Sequence, residues 1–471
     1  MTKTQLVVIG AGPGGYAAAF LAADKGMNVT LIDKEKNPGG VCLYRGCIPS
    51  KALLHISKLI SEAAESHKWG VTFGKPKIDL DKIRQHKNNV VLKLTNGTGQ
   101  LAKQRKINYI QGTAKFLNSE TVQVIDVDEN EQNIFFENAI LATGSVPSTV
   151  PGLSIKSDKI WDSTSALNLE TIPGRLLVIG GGYIGLELGS VYASLGSKVT
   201  VVEMMPYLLP GADQDLVRVL HKSLESKFEK IYLNTKVISF DEVKDKIKIK
   251  FDGEGIENPE QNFDRVLISV GRKPITDGLG LEKTKVKLTK RGFVEIDNKC
   301  QTSDPKIFAI GDIVGGAMLA HKASAEGKVA VEAILGHKVA FEPNAIPAVV
   351  FTDPEIAWAG LTESEAKEKG IKVEVARFPW AASGRATTID RNDGLTKLLI
   401  DPATQRILGM GIVGAGAGEM ISEGVLAIEM SALAKDIALS IHPHPTLSET
   451  VMESAEIFFG ESTHLYRPKR K

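Results

Sequence analysis

Gly10-Ala11-Gly12-Pro13-Gly14-Gly15 stands between the apolar run Leu6-Val7-Val8-Ile9 and an alanine-rich stretch, and a second apolar run, Val29-Thr30-Leu31-Ile32, ends on Asp33. This order asks for a strand, a tight turn, a helix and a second, parallel strand. The first glycine permits the turn, the second lets backbone approach a diphosphate, and the third lets the helix pack closely. The helix N-terminus favours the phosphate charge, and a carboxylate at Asp33 can accept both ribose hydroxyls. The same order returns with Gly180-Gly181-Gly182-Tyr183-Ile184-Gly185 after Arg175-Leu176-Leu177-Val178-Ile179, and the run Lys198 to Val202 ends on Glu203. Glu203 lies 23 positions beyond Gly180, the offset of Asp33 from Gly10. One fingerprint is weak evidence, because glycine turns recur in ordinary α/β packing. Two with matched acidic ends predict two dinucleotide sites. A third cluster, Gly411 to Gly418, lacks the spacing and any acidic strand end, and reads as a turn.

A chain of 471 residues is too long for one core and should divide into about three or four domains. Its 45 glycines and 6% aromatic content suit an α/β protein with many strand-to-helix turns. With 57 basic against 56 acidic side chains there is no overall field for nucleic acid or an anionic membrane, and neither partner is expected. Met1 to Gln5 runs almost directly into the first strand, without room for a signal peptide, so a cytoplasmic location is expected. The apolar segments are too short or glycine-broken to span a bilayer, which needs about 20 residues. Leu141-Ala142-Thr143-Gly144-Ser145 and Ile268-Ser269-Val270-Gly271-Arg272-Lys273-Pro274 each end an apolar strand and are places where the chain can leave one nucleotide domain for the next.

The chain has three cysteines, and two of them, Cys42 and Cys47, stand five positions apart in Gly39-Gly40-Val41-Cys42-Leu43-Tyr44-Arg45-Gly46-Cys47-Ile48-Pro49-Ser50-Lys51. With no secretory signal, a disulfide here is expected to be catalytic rather than a structural staple. The bland alternative is a pair of buried small residues with no joint role. Near the C-terminus His442 and His444 flank proline in Ile441-His442-Pro443-His444-Pro445-Thr446-Leu447-Ser448-Glu449. Spacing leaves Glu449 two roles. It is the last member of a capping box that starts a helix at about Thr446, or a carboxylate that orients an imidazole and raises its pKa. No metal site is expected.

Taken together these segments, with Gly311-Asp312, Met318-Leu319-Ala320-His321-Lys322 and Phe351-Thr352-Asp353-Pro354-Glu355, resemble the pyridine nucleotide-disulfide oxidoreductases from end to end. Within them the chain is most similar to the branch that reoxidises dihydrolipoamide. The resemblance implies an α/β fold of two Rossmann-like dinucleotide-binding domains, for FAD and NAD, plus an α+β C-terminal dimerisation domain. The implied boundaries are 1–148 for the FAD-binding domain with the redox disulfide, 149–275 for the NAD-binding domain, 276–345 for a central domain and 346–471 for the dimerisation domain. It further implies a homodimer serving the lipoyl-bearing protein of a 2-oxo acid dehydrogenase or glycine cleavage complex.

Carried over residue by residue, Cys47 faces the flavin as the charge-transfer thiolate and Cys42 exchanges with the substrate dithiol. Lys51 lies beside the flavin and pairs with Glu187. His444, held by Glu449, is acid and base for the dithiol of the other subunit. FAD is met by Gly10, Gly12, Gly15, Asp33, Lys51, Ala114, Gly144, Asp312 and Ala320. NAD is met by Gly180, Gly182, Gly185, Glu203, Val237 and Gly271.

Three positions depart from the family pattern. Asp33 stands where a longer Glu is usual, Tyr44-Arg45 replaces an Asn-Val-type pair and brings a guanidinium that would lower a thiol pKa, and Tyr183 stands where an aliphatic residue is common. Tyr183 matches the tyrosine lid of glutathione reductases, so an NADPH-dependent glutathione-type reductase is the nearest rival. Glu203 opposes it, because a carboxylate repels a 2′-phosphate. A mercuric reductase would add a C-terminal thiol pair, and no cysteine follows Glu449. A non-catalytic docking or redox-sensing subunit would have no need of the cysteine pair, Lys51, His444 and Glu449.

Overall fold

The computed structural model describes residues 2–150, 155–253 and 255–466. At Gly10, φ is +98° and a Cβ would lie 2.3 Å from the Ala142 carbonyl oxygen, so a side chain is excluded twice over. A Cβ on Gly15 would lie 1.8 Å from the Gly10 carbonyl oxygen, while one on Gly12 would meet nothing nearer than 4.0 Å. The first and third glycines therefore serve the fold, and the second faces open space. Strand Thr2–Ile9, helix Pro13–Asp24 and strand Val29–Asp33 follow, with the strands parallel and Val8 opposite Leu31.

This unit sits in the middle of a six-stranded sheet. Glu131–Leu141 pairs parallel on the other side of Thr2–Ile9, Asn108–Asn118 pairs with Val29–Asp33, and Ile307–Ala309 returns from far along the chain to pair with Glu131–Leu141. Thr121–Asp126 joins the two long strands antiparallel. On one face, helix Ala320–Ile334 packs against Pro13–Asp24 through small residues. Gly327 meets the Gly14 carbonyl, where a Cβ would come within 2.8 Å. Asp312 follows the returning strand directly, so the chain's later part completes the first unit's nucleotide end.

The second fingerprint builds a five-stranded parallel sheet in the order Lys230–Tyr232, Lys198–Val202, Arg175–Ile179, Arg265–Ile268, Ile160–Trp161. An antiparallel ribbon of Thr235–Val243, Lys246–Gly253 and Glu260–Phe263 packs beside it. The two turn segments singled out in the sequence meet, since Ser145–Pro147 pairs antiparallel with Arg272–Pro274. The exit from one nucleotide unit and the return to it thus run side by side.

The C-terminal sheet is antiparallel, in the order Ala348–Val350, Glu355–Gly360, Ile407–Gly414, Leu395–Ile400, Glu374–Pro379, and is covered by helices Ala417–Glu429 and Glu449–Phe459. Trp380 is fully buried, and Cβ atoms on Gly394 and Gly414 would fall 2.1 and 2.4 Å from its ring. The glycine cluster from Gly411 is thus a strand end shaped by an indole, a turn at Ala415-Gly416, and then a helix. Trp380 Nε1 donates to Thr396 Oγ1 at 2.9 Å, and Thr396 Oγ1 bonds Thr450 Oγ1 at 2.8 Å, which fixes the start of the last helix.

That helix begins at Glu449, two residues later than a capping box headed by Thr446 requires. The Thr446 hydroxyl donates to the Pro443 carbonyl at 2.7 Å, and no side-chain capping bond forms at the start of this helix. Among the described residues no helix is long and apolar enough to cross a membrane.

Candidate active site

Two helices meet at Gly46. Gly40–Arg45 carries Cys42, and Cys47–Glu65 starts with Cys47. A Cβ at Gly46 would press within 2.9 Å of the Val41 carbonyl oxygen, so the break between the helices depends on glycine. Both cysteines are free thiols in this structure, the reduced form of the expected disulfide. A hydrogen bond from Cys42 holds the Cys47 thiol down at about 7, helped by the Lys51 ammonium and opposed by burial. Cys42, as the donor, is pushed up by the same bond and by burial. The position of Cys47 in the first turn of a 19-residue helix adds the helix dipole to that stabilisation. The reduced pair is therefore asymmetric, with the negative charge favoured on Cys47 over Cys42.

One turn further on, Lys51 Nζ lies 2.8 Å from Glu187 Oε2 and 4.5 Å from the centre of the Phe351 ring. Glu187 belongs to helix Tyr183–Ser194 of the second nucleotide unit and is 3% exposed, and its other oxygen accepts the Phe351 N–H at 2.9 Å. Three parts of the chain converge on one ion pair beside the thiols.

A cavity of about 640 Å³ opens next to this pair, within the range of about 300–1,000 Å³ usual for cofactor pockets. Cys42, Cys47 and Lys51 line one part, Gly10, Gly12 and Asp33 another, and Ala114, Gly144, Asp312 and Ala320 the rest. Its shape and chemistry fit FAD. The open space at Gly12 admits a diphosphate to the helix N-terminus, and carboxylates stand at two polar positions along the cavity.

The Asp33 carboxylate accepts the N–H groups of Ala11 (2.6 Å) and Glu35 (2.9 Å), and burial raises its pKa. Asp312 is held by residues that the motif reading did not assign. The Ser145 hydroxyl donates to its carboxylate, and Arg272 donates to the Ser145 hydroxyl and carbonyl, both at 2.7 Å. The adjacent Gly311 N–H donates to Glu326 at 2.7 Å, and Glu326 pairs with Lys322 at 2.6 Å. The Lys322 and Glu326 spacing of four on a helix was a visible signal for that pair. Ser145 and Arg272 carried none, because their meeting depends on the two crossing strands.

On the second unit Glu203 is 8% exposed and repeats the Asp33 arrangement, accepting from the N–H of Gly181 (2.7 Å) and Met205 (2.8 Å). A Cβ on Gly180 would lie 2.5 Å from the Ser269 carbonyl oxygen and one on Gly185 2.4 Å from that of Gly180, while Gly182 and Gly271 face open space. Val237 lies in the flanking ribbon opposite Phe251. Tyr183 opens the helix, lines the FAD cavity at 39% exposure, and has its phenol pushed up to about 12, mainly by burial.

Arg45 departs from expectation. Its guanidinium reaches Glu35 at 2.5 Å and not the thiols, and it is absent from the charges acting on Cys47. The helix turns residue 45 towards the loop after Asp33, where a carboxylate claims it.

His444 Nδ1 bonds Glu449 Oε1 at 2.9 Å, and Glu449 Oε2 accepts the Thr446 N–H at 2.8 Å, so this carboxylate serves both the turn and the imidazole. The Thr446 N–H and His444 together hold the Glu449 carboxyl low against the upward push of burial. The His444 side chain is 72% exposed and does not line the cavity that holds its own chain's cysteines.

Comparison with known proteins agrees with this geometry. Residues 4–327 match the pyridine nucleotide-disulphide oxidoreductase family and residues 346–455 match its dimerisation domain. Dihydrolipoyl dehydrogenase of Vibrio cholerae is 48% identical over 469 residues, covering 100% of this chain and 98% of the relative. That of Geobacillus stearothermophilus is 46% identical, covering 98% of each. Among solved structures, LpdA of Mycobacterium tuberculosis superposes with a TM-score of 0.89 at 25% identity, covering 97% of this chain and 100% of that one. A copper complex of the HOCl-induced flavoprotein disulfide reductase RclA of Escherichia coli gives 0.86 at 29% identity, with the same coverage. With both domain descriptions matched in order and relatives aligned along the full length, the chain belongs to the pyridine nucleotide-disulphide oxidoreductase family.

Proposed function

We propose that this protein is a dihydrolipoyl dehydrogenase, which oxidises protein-bound dihydrolipoamide to lipoamide and reduces NAD. The observation that carries the reading is that Cys42 and Cys47 line the wall of a cavity shaped for FAD together with Lys51, which is paired to Glu187. FAD held along Gly10, Gly12, Asp33 and Asp312 would supply a two-electron acceptor beside Cys47 and a hydride donor for NAD.

The chain's own residues do the rest. In the oxidised protein a substrate thiolate attacks Cys42, forming a mixed disulfide and releasing Cys47 as a thiolate that the Lys51 ammonium stabilises. The second substrate thiol then displaces Cys42, closing the lipoyl disulfide and leaving the two protein sulfurs reduced. His444 of the partner subunit removes the proton from the attacking thiol, and Glu449 orients it through Nδ1, leaving Nε2 towards the substrate. The Lys51–Glu187 pair keeps a cation beside the flavin position without a net charge, since Glu187 balances it.

The dimerisation domain and the exposed His444 support a homodimer with both active sites shared between subunits. The match to dihydrolipoyl dehydrogenases supports a lipoyl-bearing component of a 2-oxo acid dehydrogenase or glycine cleavage complex as partner. Sparse cysteine usage is in keeping with a cytoplasmic location.

One assay tests the reading: dihydrolipoamide and reduced glutathione compared as donors, each with NAD and NADP. Turnover with dihydrolipoamide and NAD is expected. Preference for NADP with glutathione would refute it.

A further inference from the structure

Lys397 is 1% exposed, yet its ammonium is fully charged-paired: Nζ lies 2.8 Å from Asp213 Oδ2, 2.7 Å from Asp215 Oδ1 and 2.7 Å from Glu363 Oε1. Arg377 joins the group, donating to Asp215 at 2.9 Å and also bonding Glu363. Three carboxylates this close have the look of a cation site, but the lysine ammonium already sits among them. What the cluster joins is more informative than its charge. Asp213 and Asp215 stand at the start of helix Gln214–Lys227 in the second nucleotide unit, whereas Glu363, Arg377 and Lys397 belong to the C-terminal sheet and its short helix. Asp213 also accepts the N–H groups of Glu363 (3.0 Å) and Ser364 (3.3 Å).

Asp213 ends the loop that begins at Glu203. Within it the Leu209 N–H donates to the Gly181 carbonyl at 3.0 Å, and Leu208 fills the place a Cβ on Gly181 would take, 2.6 Å away. The same stretch places Glu203 against the Gly181 N–H. The loop is therefore a bridge, with the second fingerprint's glycine turn at one end and a buried ionic anchor at the other. Buried ion pairs contribute little net stability, because desolvation offsets the attraction, but they enforce one geometry.

We propose that the Lys397 cluster positions the NAD-binding loop, with Asp213 and Lys397 as positioning residues that set nucleotide affinity from the C-terminal domain. The inference rests on the reading of the second fingerprint as the NAD site. Releasing the anchor should let the 204–212 loop drift from the glycine turn, weakening the nucleotide without touching the thiols.

The test uses FAD-loaded protein and NADH as the probe. Asp213→Asn removes one anchor charge and keeps the side chain's shape. Lys397→Met/Asp213→Asn leaves the cluster's net charge unchanged, with Arg377 still bonded to the two remaining carboxylates, Asp215 and Glu363. In either variant the NADH Kd and the KM for NAD should rise about threefold to tenfold, the size of coupling seen within one network. Flavin reduction by dihydrolipoamide, and kcat at saturating NAD, should stay as in the parent.

Unchanged NADH affinity overturns the proposal. So does a parallel fall in dithiol reduction, or loss of FAD or fold in both variants, since each would make the cluster a general structural support. If the parent binds NADPH in place of NADH, the cofactor reading fails. The same titration with NADPH then still decides whether the anchor sets affinity.

Discussion

The asymmetry of the thiol pair makes a prediction that two substitutions at one position separate. The largest influence lowering Cys47 is the hydrogen bond from Cys42, followed among the favourable ones by Lys51, while burial acts against both. Cys42→Ser keeps a donor of similar size, and Cys42→Ala removes it. Neither variant can form the disulfide, so each presents Cys47 alone beside FAD. In the serine variant Cys47 should titrate near the parent value of about 7. In the alanine variant it should move up to the 9.0 of an ordinary thiol or beyond, because burial outweighs the remaining pull of Lys51. At pH 7 the thiolate fraction then falls from about one half to below about one tenth. The assay is the pH dependence of the long-wavelength flavin–thiolate band. Equal midpoints in the two variants, or a lower one in Cys42→Ala, would refute the hydrogen bond as the dominant influence.

Other expectations follow from the same geometry. Glu203→Arg should shift preference from NAD towards NADP by replacing the buried carboxylate at the end of the second fingerprint with a cation, which nucleotide titrations will show. Tyr183→Ile should leave dithiol reduction of FAD intact and change reoxidation by NAD, because Tyr183 stands at the start of the second fingerprint's helix and also lines the FAD cavity; stopped-flow rates unchanged in both half-reactions would remove that role. Cys47→Ser and His444→Ala chains, each nearly inactive alone, should recover roughly a quarter of parent activity when refolded together, since half the dimers are mixed and each has one intact site. No recovery would place base and thiols in one chain.

Much of the nucleotide machinery was legible because its information is local. The glycine spacings of Gly10 to Gly15 and Gly180 to Gly185, each followed by an acidic strand end, specify steric and hydrogen-bonding demands within one βαβ unit. The structure meets them in the same way twice. The cysteine pair was readable for the same reason. The pairing of His444 with Glu449 was open on spacing, and the geometry shows one carboxylate bonding both the His444 imidazole and the Thr446 N–H.

What the sequence by itself determined is thus the set of local parts: two nucleotide-binding turns, a thiol pair and a histidine segment. Only the tertiary structure decided which charges face them. The resemblance had implied the pair of Lys51 and Glu187, 136 positions apart, but Ser145 with Asp312, 167 apart, and Lys397 with Asp215, 182 apart, came from the fold alone. Arg45, two residues from Cys47 and near enough in sequence to tune it, bonds Glu35 instead. Electrostatic influence falls with distance through space and rises as water is excluded, and neither quantity is written in chain order. Backbone turns are set by neighbours in the sequence. The charges that meet across domains, as at Asp312 and Lys397, are set by neighbours in the fold.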